Sequence, residues 1–230
     1  MKIVNKGVEA VNKALDILNC FTEKREELNL TQLSKITGNY KSTTLRLSRS
    51  LENYGYLEKE PNGKYKLGPA INKLISVYDD SSNYKELIQA QLEDIIRTTN
   101  ETASFFVRQR SNRICVLTSE PFKVIKHTLE IGTLKPINKG SSGHILSAYH
   151  NLKIKNKDSI LANGYSMSFG EIDKEIASVS VPLMSTSVKI LGALTISGHI
   201  SNFNKKNSLK FLNILRLSKI KIEKELKKLR

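Results

Sequence analysis

The run Leu30–Leu67, LTQLSKITGNYKSTTLRLSRSLENYGYLEKEPNGKYKL, constrains this 230-residue chain more than any other stretch. Leu30, Leu33 and Ile36 recur at helical spacing and form one apolar stripe, with Thr31 as a natural N-cap. Gly38-Asn39 ends that helix, because both residues tolerate the left-handed conformation of a sharp exit. A second helix is expected over Lys41–Asn53, with Thr44, Leu47 and Leu51 inward. Ser42, Thr43, Arg46 and Arg49 fall mostly on the opposite face, towards the end that points into a DNA groove. Short hydroxyls permit close approach, and arginine forks onto guanine or neutralises a phosphate. Pro61-Asn62-Gly63 then turns a short hairpin in which Leu57, Tyr65 and Leu67 face inward and Lys59, Lys64 and Lys66 face solvent or phosphate. Either helix alone reads as an ordinary amphipathic helix. Helix, turn, helix and wing in this order read as a winged helix-turn-helix.

Beyond the wing, Gly68-Pro69 ends the hairpin, Ala70–Tyr78 reads as a linker helix, and residues 79–83 form a polar break. The expected division is therefore 1–68 for DNA binding, 69–83 for linker and hinge, and 84–230 for a second domain. That domain is expected to open with a helix over Tyr84–Thr98. Strands follow at Thr102–Val107, Ile114–Thr118 and Lys123–Leu129, then a helix at Ser142–Tyr149. Strands at Ala177–Leu183 and Ile190–Ser197 precede a long final helix with Leu212, Leu215, Ile222, Leu226 and Leu229 on its buried side. The fold class is α+β.

The formal charge is +15, yet it does not locate a DNA surface. Residues 1–78 hold thirteen Lys and Arg against eight Asp and Glu, a net of +5. Residues 205–230 hold ten against two, a net of +8. The excess is densest in the last helix, which reads as a solvated cationic face. No apolar run is long enough to span a membrane, and the first residues carry no secretory signal pattern. Cys20 and Cys115 sit apart in apolar runs and read as reduced core residues of a cytoplasmic protein. No nucleophile elbow, phosphate-binding glycine fingerprint or metal-ligand spacing occurs, so neither catalysis, cofactor nor metal is expected.

The same residues resemble the IclR-type transcriptional regulators. The carrying motifs are Ala14-Leu15-Asp16-Ile17-Leu18, Leu30-Thr31-Gln32-Leu33 with Gly38, and Lys41-Ser42-Thr43-Thr44-Leu45-Arg46-Leu47. Gly55-Tyr56-Leu57 and Tyr65-Lys66-Leu67-Gly68 follow. Thr44 and Ser48 depart from apolar residues of the family, and Tyr40 from a frequent proline. Later motifs are Gly132–Pro136 with Gly140-Ser141-Ser142-Gly143, Asn163–Glu171, Val181-Pro182-Leu183 and Ala193–Gly198, with His144-Ile145 as a departure.

The resemblance implies a mixed α/β, sensor-like (GAF-like) effector domain and a homodimer or tetramer that acts as repressor or activator. It implies DNA contacts from Lys41, Ser42, Thr43, Arg46, Arg49 and Lys64. It also implies an effector cup lined by Val124, His127, Ser141, Ser142, Ser168, Ser178, Thr195 and Ser197. Hydroxyls and the N-terminus of the Ser142 helix suit a compact oxygen-rich anion, and His127 adds a proton-dependent charge near neutral pH. The expected partners are a double-stranded operator and a small polar or carboxylate metabolite. The alternative is a ligand-independent basic architectural DNA-binding protein.

Overall fold

The computed structural model describes residues 7–22, 25–80, 84–185 and 189–228. The chain divides into two units, Met1–Ser82 and Asn83–Arg230.

The first unit contains α1 (Glu9–Leu18), α2 (Leu30–Thr37), α3 (Lys41–Asn53), β1 (Leu57–Lys59), β2 (Tyr65–Leu67) and α4 (Ala70–Asp80). Its core is Ile17, Cys20, Leu28, Leu33, Leu57 and Tyr65. The cap of α2 is Asn29 rather than Thr31. The Asn29 carboxamide accepts the Gln32 N–H at 2.9 Å and the Gln32 side chain accepts the Asn29 N–H at 2.8 Å, a reciprocal box that Thr31 cannot form from inside the first turn. Gly38 ends the helix at φ +72°. Ile36, expected inside, is 45% exposed, and so is Leu67 at 42%. Leu67 ends a three-residue strand whose inward position is taken by Tyr65. Tyr65 in turn exchanges two backbone hydrogen bonds with Leu28, at 2.8 and 2.9 Å, which ties the wing to the α1–α2 connection. Gly68 passes the Gly55 carbonyl so closely that a Cβ would lie 2.3 Å from its oxygen, so the wing closes only with glycine there.

The second unit contains α5 (Lys85–Thr99), β3 (Thr102–Gln109), β4 (Asn112–Ser119), β5 (Leu134–Pro136), α6 (Ser141–Tyr149), α7 (Lys157–Asn163), β6 (Ser166–Phe169), β7 (Ile176–Met184), β8 (Ile190–His199) and α8 (Lys205–Lys228). The six strands form one antiparallel sheet in the order β5-β4-β3-β8-β7-β6. Lys123–Leu129 is not a strand. Its edge position beside β4 is taken by β5, and residues 120–133 run as an irregular segment across the sheet's end. The linker helix continues through Asp79 and Asp80, while residues 81–83 and Leu229 lie outside the described residues.

Side-chain alternation along β7 and β8 gives the sheet two unlike faces. Ala177, Val179, Val181 and Leu183 of β7, with Leu194 and Ile196 of β8, join Phe105 of β3 in a core with α5 and α8. Ser178 and Ser180 of β7 and Thr195 and Ser197 of β8 lie at the alternate positions, on the side covered by α6. Pro182 is tolerated inside β7 because β6 pairs only with Ala177–Ser180, which leaves no partner strand for the missing N–H.

Both family departures on α3, Thr44 and Ser48, are fully buried. Thr44 returns its hydroxyl to the Tyr40 carbonyl at 3.1 Å, whereas the Ser48 Oγ has no hydrogen-bond partner. An unsatisfied buried hydroxyl is a cost, so Ser48→Ala should stabilise the chain by about 1 kcal/mol and raise the melting temperature of the N-terminal transition in a calorimetric scan. A lower melting temperature would mean that the serine has a partner in solution.

Candidate functional site: a recognition face and a polar cavity

On α3 the burial of Thr44 and Ser48 fixes the inward face and leaves Arg46, Arg49 and the first turn facing outward. Lys41, Ser42, Arg46 and Arg49 are exposed, and Thr43 is half-buried. None of Lys41, Arg46 and Arg49 makes an ion pair among the described residues. The wing differs. Lys64 is paired with Glu27 at 3.0 Å, and Lys66 with Glu58 and Glu60 at 3.2 and 2.5 Å. Lys59 is exposed, with its ammonium 5.6 Å from the Tyr65 ring centre. The acidic residues that hold Lys64 and Lys66 are distant in sequence or across the hairpin, so a reading of the lysines alone overlooks them. Such exposed pairs are worth little and exchange readily with phosphate.

In the second unit a cavity of about 90 Å³ opens between the hydroxyl face of the sheet, the start of α6 and the 120–133 segment. His127, Ser142, Ser168, Ser178, Thr195 and Ser197 line it together. Val124 does not reach it. That side chain is 101% exposed, because the segment expected to be a strand loops outward here. Ser141 lies just behind the wall. Its hydroxyl bonds Ser178 and Ser180 at 2.7 Å each, and Ser180 bonds Thr195 at 2.8 Å. This chain of hydroxyls joins α6 to β7 and β8 and consumes the polar groups of Ser141 and Ser180 internally.

His127 Nδ1 lies 2.8 Å from the Ser197 hydroxyl, and the His127 carbonyl accepts the Thr102 hydroxyl at 2.6 Å. Burial, helped by the nearby Lys135 charge, holds the His127 pKa below that of a free imidazole. The lowered value favours the neutral ring and moves the proton-dependent charge expected near neutral pH to lower pH, so the ring acts here as a hydrogen-bonding group. The positive end of α6 is also partly taken. The Gly140 N–H at its N-cap donates to Glu171 at 2.8 Å, and Glu171 also accepts from Ser168 at 3.0 Å and contacts His144 Nε2 at 3.1 Å. His144, the departure in the family motif, thus bridges Glu171 and Ser166, the latter at 3.1 Å.

Sequence reading missed the remaining wall of Phe106, Arg113, Leu129, Lys135, Ile172, Asp173 and Ile176. Arg113 precedes an unbroken apolar run, Ile114–Leu117, that shows no alternation, so only pairing of the strands reveals which face it shares. A larger, open groove of about 480 Å³ lies between α7 and β6, but none of the eight expected effector residues lines it. Cys20 and Cys115 are buried thiols, and burial pushes Cys115 up to about 12, which makes it inert at neutral pH. Among the described residues no cluster suits a metal ion, and no helix is long and apolar enough to cross a membrane.

A winged helix-turn-helix unit joined to an antiparallel-sheet unit with a polar cavity defines a two-domain, ligand-binding transcriptional regulator. Comparison with known proteins identifies which one. Residues 10–61 match the IclR helix-turn-helix domain, and residues 153–223 match the bacterial transcriptional regulator IclR C-terminal domain. The chain belongs to the IclR family of transcriptional regulators, which are not enzymes. The HTH-type transcriptional regulator KipR of Bacillus subtilis is 22% identical, over 85% of this chain and 88% of that protein. XynR of Escherichia coli is also 22% identical, over 83% and 86%. Among solved structures, an IclR regulator from Alicyclobacillus acidocaldarius has a TM-score of 0.73 at 22% identity, covering 94% of this chain and 98% of that one. An IclR homologue from Microbacterium hydrocarbonoxydans, complexed with 4-hydroxybenzoate, has a TM-score of 0.76 at 16% identity, covering 95% and 99%.

The Glu171 carboxyl gives a check on the α6 end of the cavity. Burial pushes it up, but the Gly140 N–H, His144 and the Ser168 hydroxyl outweigh burial and hold it below the ordinary carboxylate value. A carboxylate lowered in the folded state stabilises above its unfolded pKa and loses that stabilisation as pH falls through the folded value. Glu171→Gln should therefore melt below the native chain at pH 7, with the gap closing below about pH 4. A gap independent of pH would show that the charge does not matter.

Proposed function

We propose that this chain binds an operator as a homodimer through α3 and the wing, and that a small polar metabolite in the cavity of the second unit sets its affinity. The observation that carries the reading is the convergence of His127, Ser142, Ser168, Ser178, Thr195 and Ser197 on one small cavity in a chain that also exposes a cationic recognition helix. An architectural protein has no use for such a cavity. Arg46 and Arg49 supply base or phosphate contacts, Ser42 and Thr43 allow close approach, and Lys41 meets the backbone. Lys64 reaches phosphate by exchanging its pairing with Glu27.

Val8, Val11 and Leu15 form an exposed apolar stripe along α1 at spacings of three and four residues, which supports a dimer. Two recognition helices then face half-sites about one helical turn, or a multiple of it, apart. A regulator of this kind works on the chromosome in the bacterial cytoplasm. An effector shifts operator affinity only by its preference for one dimer arrangement.

The aromatic acid of the Microbacterium complex indicates that a carboxylate suits this fold. The cavity here, about 90 Å³, is smaller than the roughly 150 Å³ site known to admit benzene, so a compact aliphatic acid or similarly polar metabolite fits better than an aromatic ring.

The decisive test is a gel shift on DNA upstream of the chain's own gene, with and without a fractionated metabolite pool. A footprint over one palindromic site that changes with a small polar fraction is expected. Uniform coverage with a steep salt slope and no ligand response would instead support the architectural reading. In the same assay Arg46→Ala should weaken operator binding by about 1–3 kcal/mol if it forks onto a base. Unchanged affinity and salt slope would remove Arg46 from the interface.

A further inference from the structure

The long final helix reads from the sequence as a cationic face turned to solvent, and the structure gives that face an organisation that solvation alone does not require. Phe211, Leu212, Leu215 and Ile222 of α8 are buried in the core that backs the sheet. The opposite side follows at every third or fourth position as Lys206, Lys210, Asn213, Leu217, Lys221 and Lys224, all exposed. The two acidic residues of the helix, Glu223 and Glu225, are half-buried and already taken. Glu223 accepts the Met184 N–H at 2.8 Å and lies 3.7 Å from Lys219, and Glu225 pairs with Lys228 at 2.7 Å. On neighbouring α5, Glu93 and Asp94 are held by Arg97 at 3.4 and 3.7 Å. Among the described residues Lys205, Lys206, Lys210, Lys221, Lys224 and Lys227 make no ion pair.

A surface that serves solubility alone mixes charges of both signs. This one offers a single sign, so its partner is anionic. A second copy laid against it would meet the same lysines, and like charge disfavours that contact. Residue type separates the polyanions that remain. Interfaces with proteins are poor in lysine and rich in aromatic residues and arginine. This face has no aromatic residue, and its one arginine, Arg216, already donates to the Asn163 carbonyl at 3.1 Å and lies 5.5 Å from the Tyr165 ring centre. A lipid surface needs a continuous apolar face, whereas Leu209 stands about 12 Å along the axis from Leu217. Phosphates ask only for positive charge at a suitable spacing. Lys206 and Lys210 form one cluster, and Lys221 and Lys224 form another. The rise from Lys210 to Lys221 is about 16 Å, which lets flexible lysines reach the phosphate ridges on both sides of a major groove about 12 Å wide.

We propose that the outer face of α8 is a second contact for duplex DNA, independent of base sequence, in which Lys206, Lys210, Lys221 and Lys224 neutralise backbone phosphates. The densest positive charge of the chain is then an affinity element of the second unit, not a solubility device. Such a contact goes beyond the operator reading of α3 and does not depend on it, because Arg46→Ala alters α3 alone and lysine substitutions on α8 leave α3 intact.

The test is fluorescence anisotropy of the full chain on a labelled duplex of about 40 base pairs and arbitrary sequence, titrated at salt concentrations from about 50 to 200 mM. A variant carrying Lys206→Gln, Lys210→Gln, Lys221→Gln and Lys224→Gln should bind at least about tenfold more weakly at the lowest salt. Its slope of log affinity against log salt should be shallower by about 2 to 4. These side chains are exposed, so the melting temperature should stay at the native value. A matched variant carrying Lys139→Gln, Lys153→Gln, Lys155→Gln and Lys174→Gln removes the same charge from exposed sites off this face, and its slope should stay within about 1 of the native one. A native slope in the α8 variant, or equal losses in the two variants, would overturn the contact. So would an α8 variant that binds the duplex normally but loses binding of poly-L-glutamate, which would give the face to an acidic protein. A native slope in the α8 variant together with weakened operator binding by Arg46→Ala would overturn the α8 contact and leave the operator reading standing. The opposite pattern would support the α8 contact and remove Arg46 from the operator interface.

Discussion

The pleat of two neighbouring strands, β7 and β8, governs the second unit. Their apolar positions must face α5 and α8, because that side holds the largest continuous core of the chain. Period-two geometry then forces the alternate residues to the other side, where they are serines and threonines. A slip of one residue would bury Ser178, Ser180, Thr195 and Ser197 among Ile and Leu side chains, so the core itself locks the register that builds the cavity.

Polar groups turned inward in this way must find partners. Part of the set does so internally, through the hydroxyl chain from Ser178 by way of Ser141 and Ser180 to Thr195. Glu171 answers the Gly140 N–H and binds His144 and Ser168. Arg113 is answered only on one side, by carbonyl oxygens at the turn into α6. The wall is therefore a mostly satisfied network in which one buried N–H, Nε of Arg113, is left without a partner.

The recognition unit is held by a smaller core, and two of the positions that α3 contributes are polar. Thr44 satisfies itself on its own helix, while Ser48 does not. The α3 surface stays free of ion pairs among the described residues, whereas the wing lysines Lys64 and Lys66 are compensated by Glu27, Glu58 and Glu60. The positive charge offered by this unit therefore concentrates on the helix more than on the hairpin.

Local signals wrote the first unit plainly into the sequence. The Gly38 turn, the helical spacing of Leu30 and Leu33 and the Pro61-Asn62-Gly63 hairpin depend on neighbours within a few residues, and the motifs Lys41–Leu47 and Gly55–Leu57 carried the family. The alternation in Ala177–Leu183 and Ile190–Ser197 likewise foretold both strands, and position within the family foretold six residues of the cavity wall. Other features were decided only in three dimensions. Lys123–Leu129 has the composition of a strand, yet β5 holds the sheet edge and the segment loops away, which puts Val124 in solvent and His127 in the cavity. The burial that favours the neutral form of His127, the pairing of Lys64 with Glu27 and the half-answered guanidinium of Arg113 arise between residues far apart along the chain. Sequence determined which elements form and which face of each is apolar, because those follow from short-range periodicity. Tertiary structure decided the charge and pairing of the site's groups, because desolvation and ion pairing depend on what the fold brings within a few ångströms.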